Sequence, residues 1–423
     1  MFRLGAVLLA AGLLPAQQYD SKAPLTPDMI LLGRIQYVVG LSLSKLPNFT
    51  CVETIERSQR VPGSKKHQLL DNVRLEVALV DGKELYAWPG ARKFEDRDLT
   101  DMVGGGAIGT GDFALHAKSI YLSGNTKFTY LGLDQAAGRK AHKFHYSVSI
   151  DNSRYLMRYG GSEGFVGYQG DVWNDADTLE IIRIEMTIDD IPRQIPLKTG
   201  SKSIEYAPAE IGGATFVLPR SMDMTLEALN GGESRNRAVF TSCRQYTGES
   251  TLIFDEPPPD EKPKAAQVVL TLPAGLTVNL RLLKTIDLSK GAMGDLVEFE
   301  VTKDTAKGER VWLHKGTRVE LRLDHIACRD FPSAHCFAAI APGRFTDGNF
   351  TGAFSGEIIV PDLARAMELG LRNAPPQLRT IPFEIGQAAP GSAIIFIGGS
   401  RGRLASGYST VWRTLESRGV TEP

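Results

Sequence analysis

The first regular pattern along the chain has a helical period: Leu31, Ile35, Val38, Val39, Leu43 and Leu46 recur at mostly three- and four-residue spacing. Thr26 stands where a cap would serve the first turn, Pro27 suits that turn, and Pro47 ends the run. The period then drops to two. Val73, Leu75, Val77 and Leu79 alternate with Asn72, Arg74, Glu76 and Ala78, and Asp81-Gly82 turns the chain into Glu84 to Trp88 as a hairpin. Residues 140 to 150 alternate similarly. So do Ile182, Ile184, Met186 and Ile188, which predicts strands with one buried and one wet face. The segment from Asp98 to Gly124 interrupts this with a glycine-rich stretch, then Asp112 as a cap and Phe113 to Leu122 as a short helix. Within that lid helix Phe113, Ile120 and Tyr121 are expected to face a ligand. The order of elements predicts a curved antiparallel sheet, a half-barrel, with helices on its concave face.

The alternation stops between Phe254 and Gln267, where DEPPPDEKPKAA carries Pro257, Pro258, Pro259 and Pro263 among charges. Residues 255–266 therefore read as a semi-rigid extended linker between domains at 26–254 and 267–423. The second domain contains an echo. Leu272 to Leu282 (LPAGLTVNLRL) and Leu313 to Leu323 (LHKGTRVELRL) match at Leu, Gly, Val, Leu, Arg and Leu, 41 residues apart. A tight turn at Gly275 or Gly316 feeding an alternating strand, used twice, predicts a small β-barrel or sandwich. Pro361 to Arg372 reads as a helix, bounded by Pro375-Pro376. The expected class of the whole is mainly β with a few helices.

Composition excludes one class of partner. Lys plus Arg number 48 against 49 Asp plus Glu in 423 residues, a net charge of −1. That balance argues against nucleic acid, whose phosphates demand a basic face. At the N-terminus Arg3 precedes an apolar run, Leu4 to Leu14, ended by Pro15, Ala16 and Gln17. Residues 1–17 read as a signal peptide cleaved near Ala16, because the run is shorter than the ~20 residues of a spanning helix. The expected location is periplasmic or secreted, with no transmembrane anchor and, for want of a nearby Cys, no lipid on the N-terminus. An oxidising compartment lets the four cysteines pair. Of three connectivities, Cys51 with Cys243 and Cys328 with Cys336 is favoured over a metal site built from Cys328, His335 and Cys336, whose spacing fits no familiar zinc pattern.

Catalytic motifs are present only as fragments. Gly-x-Ser-x-Gly occurs at Ser162 (GGSEG) and Ser400 (GGSRG), but no helical pattern follows either, so hairpin turns explain both better than a hydrolase nucleophile. Gly104, Gly105, Gly106, Gly109 and Gly111 lack a preceding buried parallel strand and a Lys-Ser or Lys-Thr pair, so a flap or lid hinge is expected rather than a phosphate loop. His142 and His145 point to opposite faces of one strand, and His142 and His116 read as packed core residues. Asp171, Asp175, Asp177 and Glu180 lack calcium-loop spacing and read as a charged turn. No catalytic, cofactor-binding or metal residue is assigned. The sequons at Asn48 and Asn349 carry no weight in a chain whose signal peptide looks bacterial.

The segments LPNFTCVETIER, VRLEVALVDGKELYAW and GDVWNDADTLEIIRIEM resemble the bacterial periplasmic lipoprotein-carrier and sensor superfamily, over residues 28 to 254. That resemblance implies a helix leading into an antiparallel half-barrel whose helix-covered concave face binds acyl chains or a partner peptide. GGGAIGTGDFALHAKSIY and FTSCRQYTGES are similar to segments of secreted proteins of soil acidobacteria, a likeness that brings no activity. The turn-and-strand units of the second domain resemble small envelope-associated β modules. The function expected is non-enzymatic: binding of a hydrophobic or lipidic ligand, or of an envelope partner. Its rivals are a scaffolding protein without a cavity and, more remotely, a secreted serine hydrolase using Ser162 or Ser400.

Overall fold

The computed structural model describes residues 25–91, 94, 99–103, 107–108, 115–246, 268–288, 290–329, 335–362, 365, 367, 391–398 and 402–416. The expected signal peptide 1–17, the linker 255–266, the five lid glycines, Asp112, Phe113 and Ser400 lie outside these residues.

Helix α1 spans Pro27–Ser44. Thr26 caps it, its Oγ1 accepting from the Met29 N–H at 3.4 Å, and the Lys45 N–H closes the far end on the Leu41 and Ser42 carbonyls. The buried strip is narrower than the spacing predicts. Only Ile35 and Val39 are fully buried, Leu31, Val38 and Leu43 are half-buried, and Leu46 falls beyond the helix. The cause is that α1 is apolar on both sides and touches the sheet along one line, so Met29, Ile30, Tyr37 and Leu41 remain exposed.

The strands that follow are β1 (Phe49–Arg60), β2 (Gln68–Val80) and β3 (Lys83–Ala87). Asp81 and Gly82 both take positive φ, 51° and 76°, as a two-residue hairpin turn between right-twisted strands requires. Short helices α2 (Leu99–Met102) and α3 (Leu115–Leu122) precede β4 (Lys127–Ala136) and β5 (Arg139–Val148). A separate hairpin, β6 (Leu156–Tyr159) and β7 (Ser162–Phe165), leads into β8 (Gly167–Asp175), β9 (Ile181–Asp189), β10 (Leu197–Ile211), β11 (Ala214–Ala228) and β12 (Glu233–Gln245). Ten strands form one antiparallel sheet in the order β3-β2-β1-β12-β11-β10-β9-β8-β5-β4, so the first strand of the domain pairs with its last. Cys51 on β1 and Cys243 on β12 are joined by a disulfide across that pair, 192 residues apart. The alternation of the sequence determines the faces: Val73, Leu75, Val77 and Leu79, and Ile182, Ile184, Met186 and Ile188, are all buried. Helices α1 and α3 pack on one side of the sheet and share a single core with it.

The chain beyond residue 267 forms β13 (Val268–Val269), β14 (Thr277–Leu282), β15 (Ile286–Asp287), β16 (Leu296–Val301), β17 (Thr305–Lys307), β18 (Arg310–Leu313), β19 (Arg318–Arg329), β20 (His335–Asp347), β21 (Phe350–Phe354), β22 (Gly356–Val360), β23 (Ala393–Gly398), β24 (Arg403–Leu404) and β25 (Ser409–Thr414). Nine of these run β13-β21-β20-β19-β16-β14-β25-β22, with β23 added to β20; β15 pairs β24 and β17 pairs β18. Of the small barrel or sandwich expected here, a closed barrel does not form among the described residues. Instead the sheet coils around its own core, and β22 returns beside β23 without a ladder between them. Both echo glycines are left-handed, Gly275 at φ 84° and Gly316 at φ 94°, each turning the chain toward its strand, β14 or β19. A second disulfide, Cys328–Cys336, joins β19 to β20. Of the expected helix Pro361–Arg372 only four residues are described, Arg365 and Met367 being helical.

The two sheets touch at β2. Because β3 is short, the outer edge of β2 at Asn72–Arg74 lacks a β3 partner, and a turn of the second sheet fills it. Met293 N–H donates to the Asn72 carbonyl at 2.7 Å and the Arg74 N–H to the Met293 carbonyl at 2.8 Å. Arg74 also pairs with Asp295, and the Arg322 guanidinium lies 4.8 Å from the centre of the Trp88 ring.

Candidate ligand groove

Residues directly opposite in an antiparallel ladder share a face, so the register shows what the covered side of the large sheet presents. One row across it is apolar and buried: Val73, Ile55, Ala238, Met222, Ile204, Ile184, Val172 and Phe144. The next row, two residues along, is Asp71, Arg57, Asn236, Met224, Lys202 and Met186. It is equally buried, Arg57 being 1% and Lys202 3% exposed. Burying such charges is costly unless they are paired. Arg57 donates from Nε to Asp71 Oδ1 at 2.7 Å and from Nη2 to Oδ2 at 2.5 Å, a two-pronged pair. Asn236 Nδ2 donates to the Ala107 carbonyl at 2.8 Å, and the Lys202 ammonium sits 5.9 Å from the centre of the Tyr155 ring.

Helix α3 covers this floor. His116 Nε2 lies 3.0 Å from Met186 Sδ, and its ring packs between Tyr155 and Tyr168. Burial, helped by the Lys202 charge, lowers its pKa to about 3, so this imidazole is neutral. Tyr121 donates from its hydroxyl to Asn174 Oδ1 at 2.8 Å, Asn174 donates to the Leu179 carbonyl, and burial pushes the phenol pKa up. Ile120 is buried beside it.

Space remains at both ends of the covered face. The larger groove, about 780 Å³, has Gln59, Met224, Leu226 and Ser234 as floor and the β6–β7 hairpin, Tyr155 to Glu163, as wall, with Ala107 and Ile108 alongside. Met157 points into the core from the hairpin while Leu156 and Phe165 stay outside. A smaller cavity, about 220 Å³, lies under the C-terminal half of α1 against Ala117, Ile181, Tyr206 and Phe216. Of the expected lid residues, Ile120 and Tyr121 pack into the centre of the core and do not line the groove. Its floor comes from β1, β11 and β12; on β11 the alternation Met222, Met224, Leu226 in SMDMTLEA marks the inner face, though not the groove.

The remaining candidates have structural work. Ser162 opens β7 after a Gly160-Gly161 turn with φ 59° and 79°; a strand, not a helix, follows it. Asp171 holds His145 at 2.8 Å and Lys143 at 2.9 Å; burial acts to raise its pKa, but these hydrogen bonds hold it below the usual carboxylate value. Asp175 accepts from the Asp177 and Thr178 N–H groups, the charged turn expected there. His142 Nδ1 lies 2.9 Å from the Tyr130 hydroxyl. Cys328 and Cys336 are consumed by their disulfide, and among the described residues no three metal-ligating side chains cluster.

No family model matches the chain, and no curated protein does. Solved structures similar to it include an outer-membrane lipoprotein-sorting protein domain from Vibrio parahaemolyticus (14% identity, TM-score 0.29, covering 51% of this chain and 94% of that one). A LolA superfamily protein from Nitrosomonas europaea is 10% identical (TM-score 0.28, 51% and 94%). The lipoprotein LppX from Mycobacterium tuberculosis is 11% identical (TM-score 0.19, 52% and 98%). Each of these matches covers about half of this chain.

Proposed function

We propose that this chain is a non-enzymatic, periplasmic or secreted protein whose first domain binds a hydrophobic or lipidic ligand in the groove between the β6–β7 hairpin and the ends of β1, β11 and β12. The observation that carries this is the groove itself. Its volume of about 780 Å³ falls in the roughly 300–1,000 Å³ range of small-molecule sites. Its lining mixes Ile108, Met157, Met224 and Leu226 with Gln59, Arg158, Glu163 and Ser234, polar and apolar surface in similar measure, which suits an amphiphile better than a wholly apolar ligand. The two disulfides accord with an oxidising compartment, and among the described residues no helix is long and apolar enough to cross a membrane. One observation favours the scaffolding alternative: α1 and α3 already fill the centre of the covered face.

Native mass spectrometry of periplasmically expressed protein, with organic extraction, separates the two. A stoichiometric acyl-chain adduct that Ser234→Trp displaces, by filling the groove, is the expected result. A bare mass under every gentle condition overturns the carrier reading in favour of the scaffold.

A further inference from the structure

We propose that the outer face of the α1–α3 pair docks on an anionic lipid surface. Helix α1 spreads apolar residues around its whole circumference, yet only one side meets the sheet. Its other side carries Met29, Ile30, Tyr37 and Leu41, of which Tyr37 is 71%, Met29 53% and Ile30 51% exposed. Met29, Gly33, Tyr37 and Leu41 follow one another at four-residue spacing and so form one stripe. Helix α3 widens it: Gln36 Nε2 donates to the Tyr121 carbonyl at 3.1 Å, and Leu122, itself exposed, reaches Gly40, where an added Cβ would already touch it at 3.4 Å. A contiguous apolar patch on a water-facing helix pair marks an interaction surface.

The charges around the patch identify its occupant. Exposed Arg34 and Lys45 lie on and just after α1 and exposed Lys118 on α3, against Asp28 on α1 and Glu180, which lines the α1 cavity with Lys45, among the described residues. The chain as a whole is balanced at −1, so this basic excess is local. Protein interface cores disfavour lysine, whereas an anionic bilayer attracts it and lets its stem lie along the apolar boundary. A second copy is a poorer fit, because a two-fold contact would set the same cations against one another. An apolar stripe flanked by Lys and Arg, with a tyrosine at its middle, is the chemistry of a helix lying in the lipid interface. The inference stands apart from the ligand groove, whose occupancy it does not require.

The test is co-sedimentation of the full mature chain with vesicles of phosphatidylethanolamine and phosphatidylglycerol, beside vesicles of phosphatidylcholine alone. Binding to the anionic vesicles is expected, weakening with added salt. Tyr37→Glu should lower partitioning roughly tenfold, and Arg34→Gln or Lys118→Gln about fivefold each. Leu229→Glu, at an exposed apolar position on the β11–β12 turn, should leave it unchanged. All four are surface changes whose folding is checked by circular dichroism. Failure to sediment with anionic vesicles, or equal partitioning of the parent and Tyr37→Glu, overturns the proposal. So does a dimer in light scattering that Tyr37→Glu dissolves, which would assign the face to a second copy.

Discussion

His116 makes the stability of the first domain depend on pH in a window where few other groups titrate. The folded imidazole has a pKa near 3, lowered by burial and by Lys202, while the unfolded chain restores a value near 6.5. Between those values the unfolded state binds a proton that the native state refuses, so stability rises with pH. The loss is complete once pH has fallen through the folded value, and is at most about 5 kcal/mol at 1.36 kcal/mol per pKa unit. From pH 7 to 5 the same linkage removes about 2 kcal/mol. Asp171 and Asp175 act in the same direction, but only below the ordinary carboxylate range. His142, lowered by burial and then by Lys140 and Arg34, adds to the loss. His314, raised by its hydrogen bond to Asp347, opposes it, since its contribution is present at low pH and fades as pH rises. The assay is therefore a comparison: urea unfolding at pH 7 and pH 5 for the parent and for His116→Phe, which keeps an aromatic ring between Tyr155 and Tyr168 and cannot titrate. The variant should lose about 2 kcal/mol less than the parent over that interval. Equal losses would refute the argument and place a protonated imidazole, or an open helix α3, in the native state at pH 5.

Asp71→Ala should destabilise the chain by about 3–5 kcal/mol in urea titration, because it strands the buried Arg57, whereas the double change Arg57→Met with Asp71→Leu should recover most of that loss. Cys51→Ala with Cys243→Ala releases a loop of 192 residues and should cost about 5 kcal/mol on loop entropy, against about 2.5 kcal/mol for Cys328→Ala with Cys336→Ala, whose loop spans 8; thermal melts that rank them the other way would show that entropy is not the main term. Gly294→Ala would put a Cβ 2.3 Å from the Arg74 carbonyl and 2.7 Å from the Trp88 ring, so hydrogen exchange at the Arg74 and Met293 amides should speed up; unchanged protection would mean that the two sheets are held together elsewhere.

The elements legible in the sequence were those whose pattern has a local cause. Alternation fixed the faces of β2 and β9, the Asp81-Gly82 pair fixed a hairpin, and two glycines fixed matching turns at Gly275 and Gly316. The groove was not legible, because its floor is assembled from three strands that only the register brings side by side: Gln59 comes from β1, Met224 and Leu226 from β11 and Ser234 from β12. The charged row was hidden for the same reason. Nothing local in ERSQR or LLDNV marks Arg57 and Asp71 as partners; pairing sets them opposite each other inside the domain. Apolar content also misled at α1, where spacing marked one face but the helix had a second.

Four consecutive residues of β2 show how these features depend on one another. Asp71 faces inward to Arg57, Asn72 offers its carbonyl to Met293, Val73 enters the apolar row, and Arg74 reaches outward to Asp295. Side chains on a strand alternate, so a slip of one residue would bring Arg74 into the apolar interior and turn Asp71 toward the second sheet, losing both ion pairs at once. The pair also guards against a slip of two residues, which a strand with only apolar residues on its inner face would tolerate more readily, because Leu, Val and Leu at alternate positions look alike after such a shift. Replacing a buried pair by well-packed hydrophobic residues is often neutral for stability, so register discrimination is the expected role of this pair, and the Arg57→Met, Asp71→Leu variant tests it. The same register that sets Asp71 opposite Arg57 in the buried row thereby positions the β2 edge for the second sheet, so the charged row of the first domain and its contact with the second are specified by one strand.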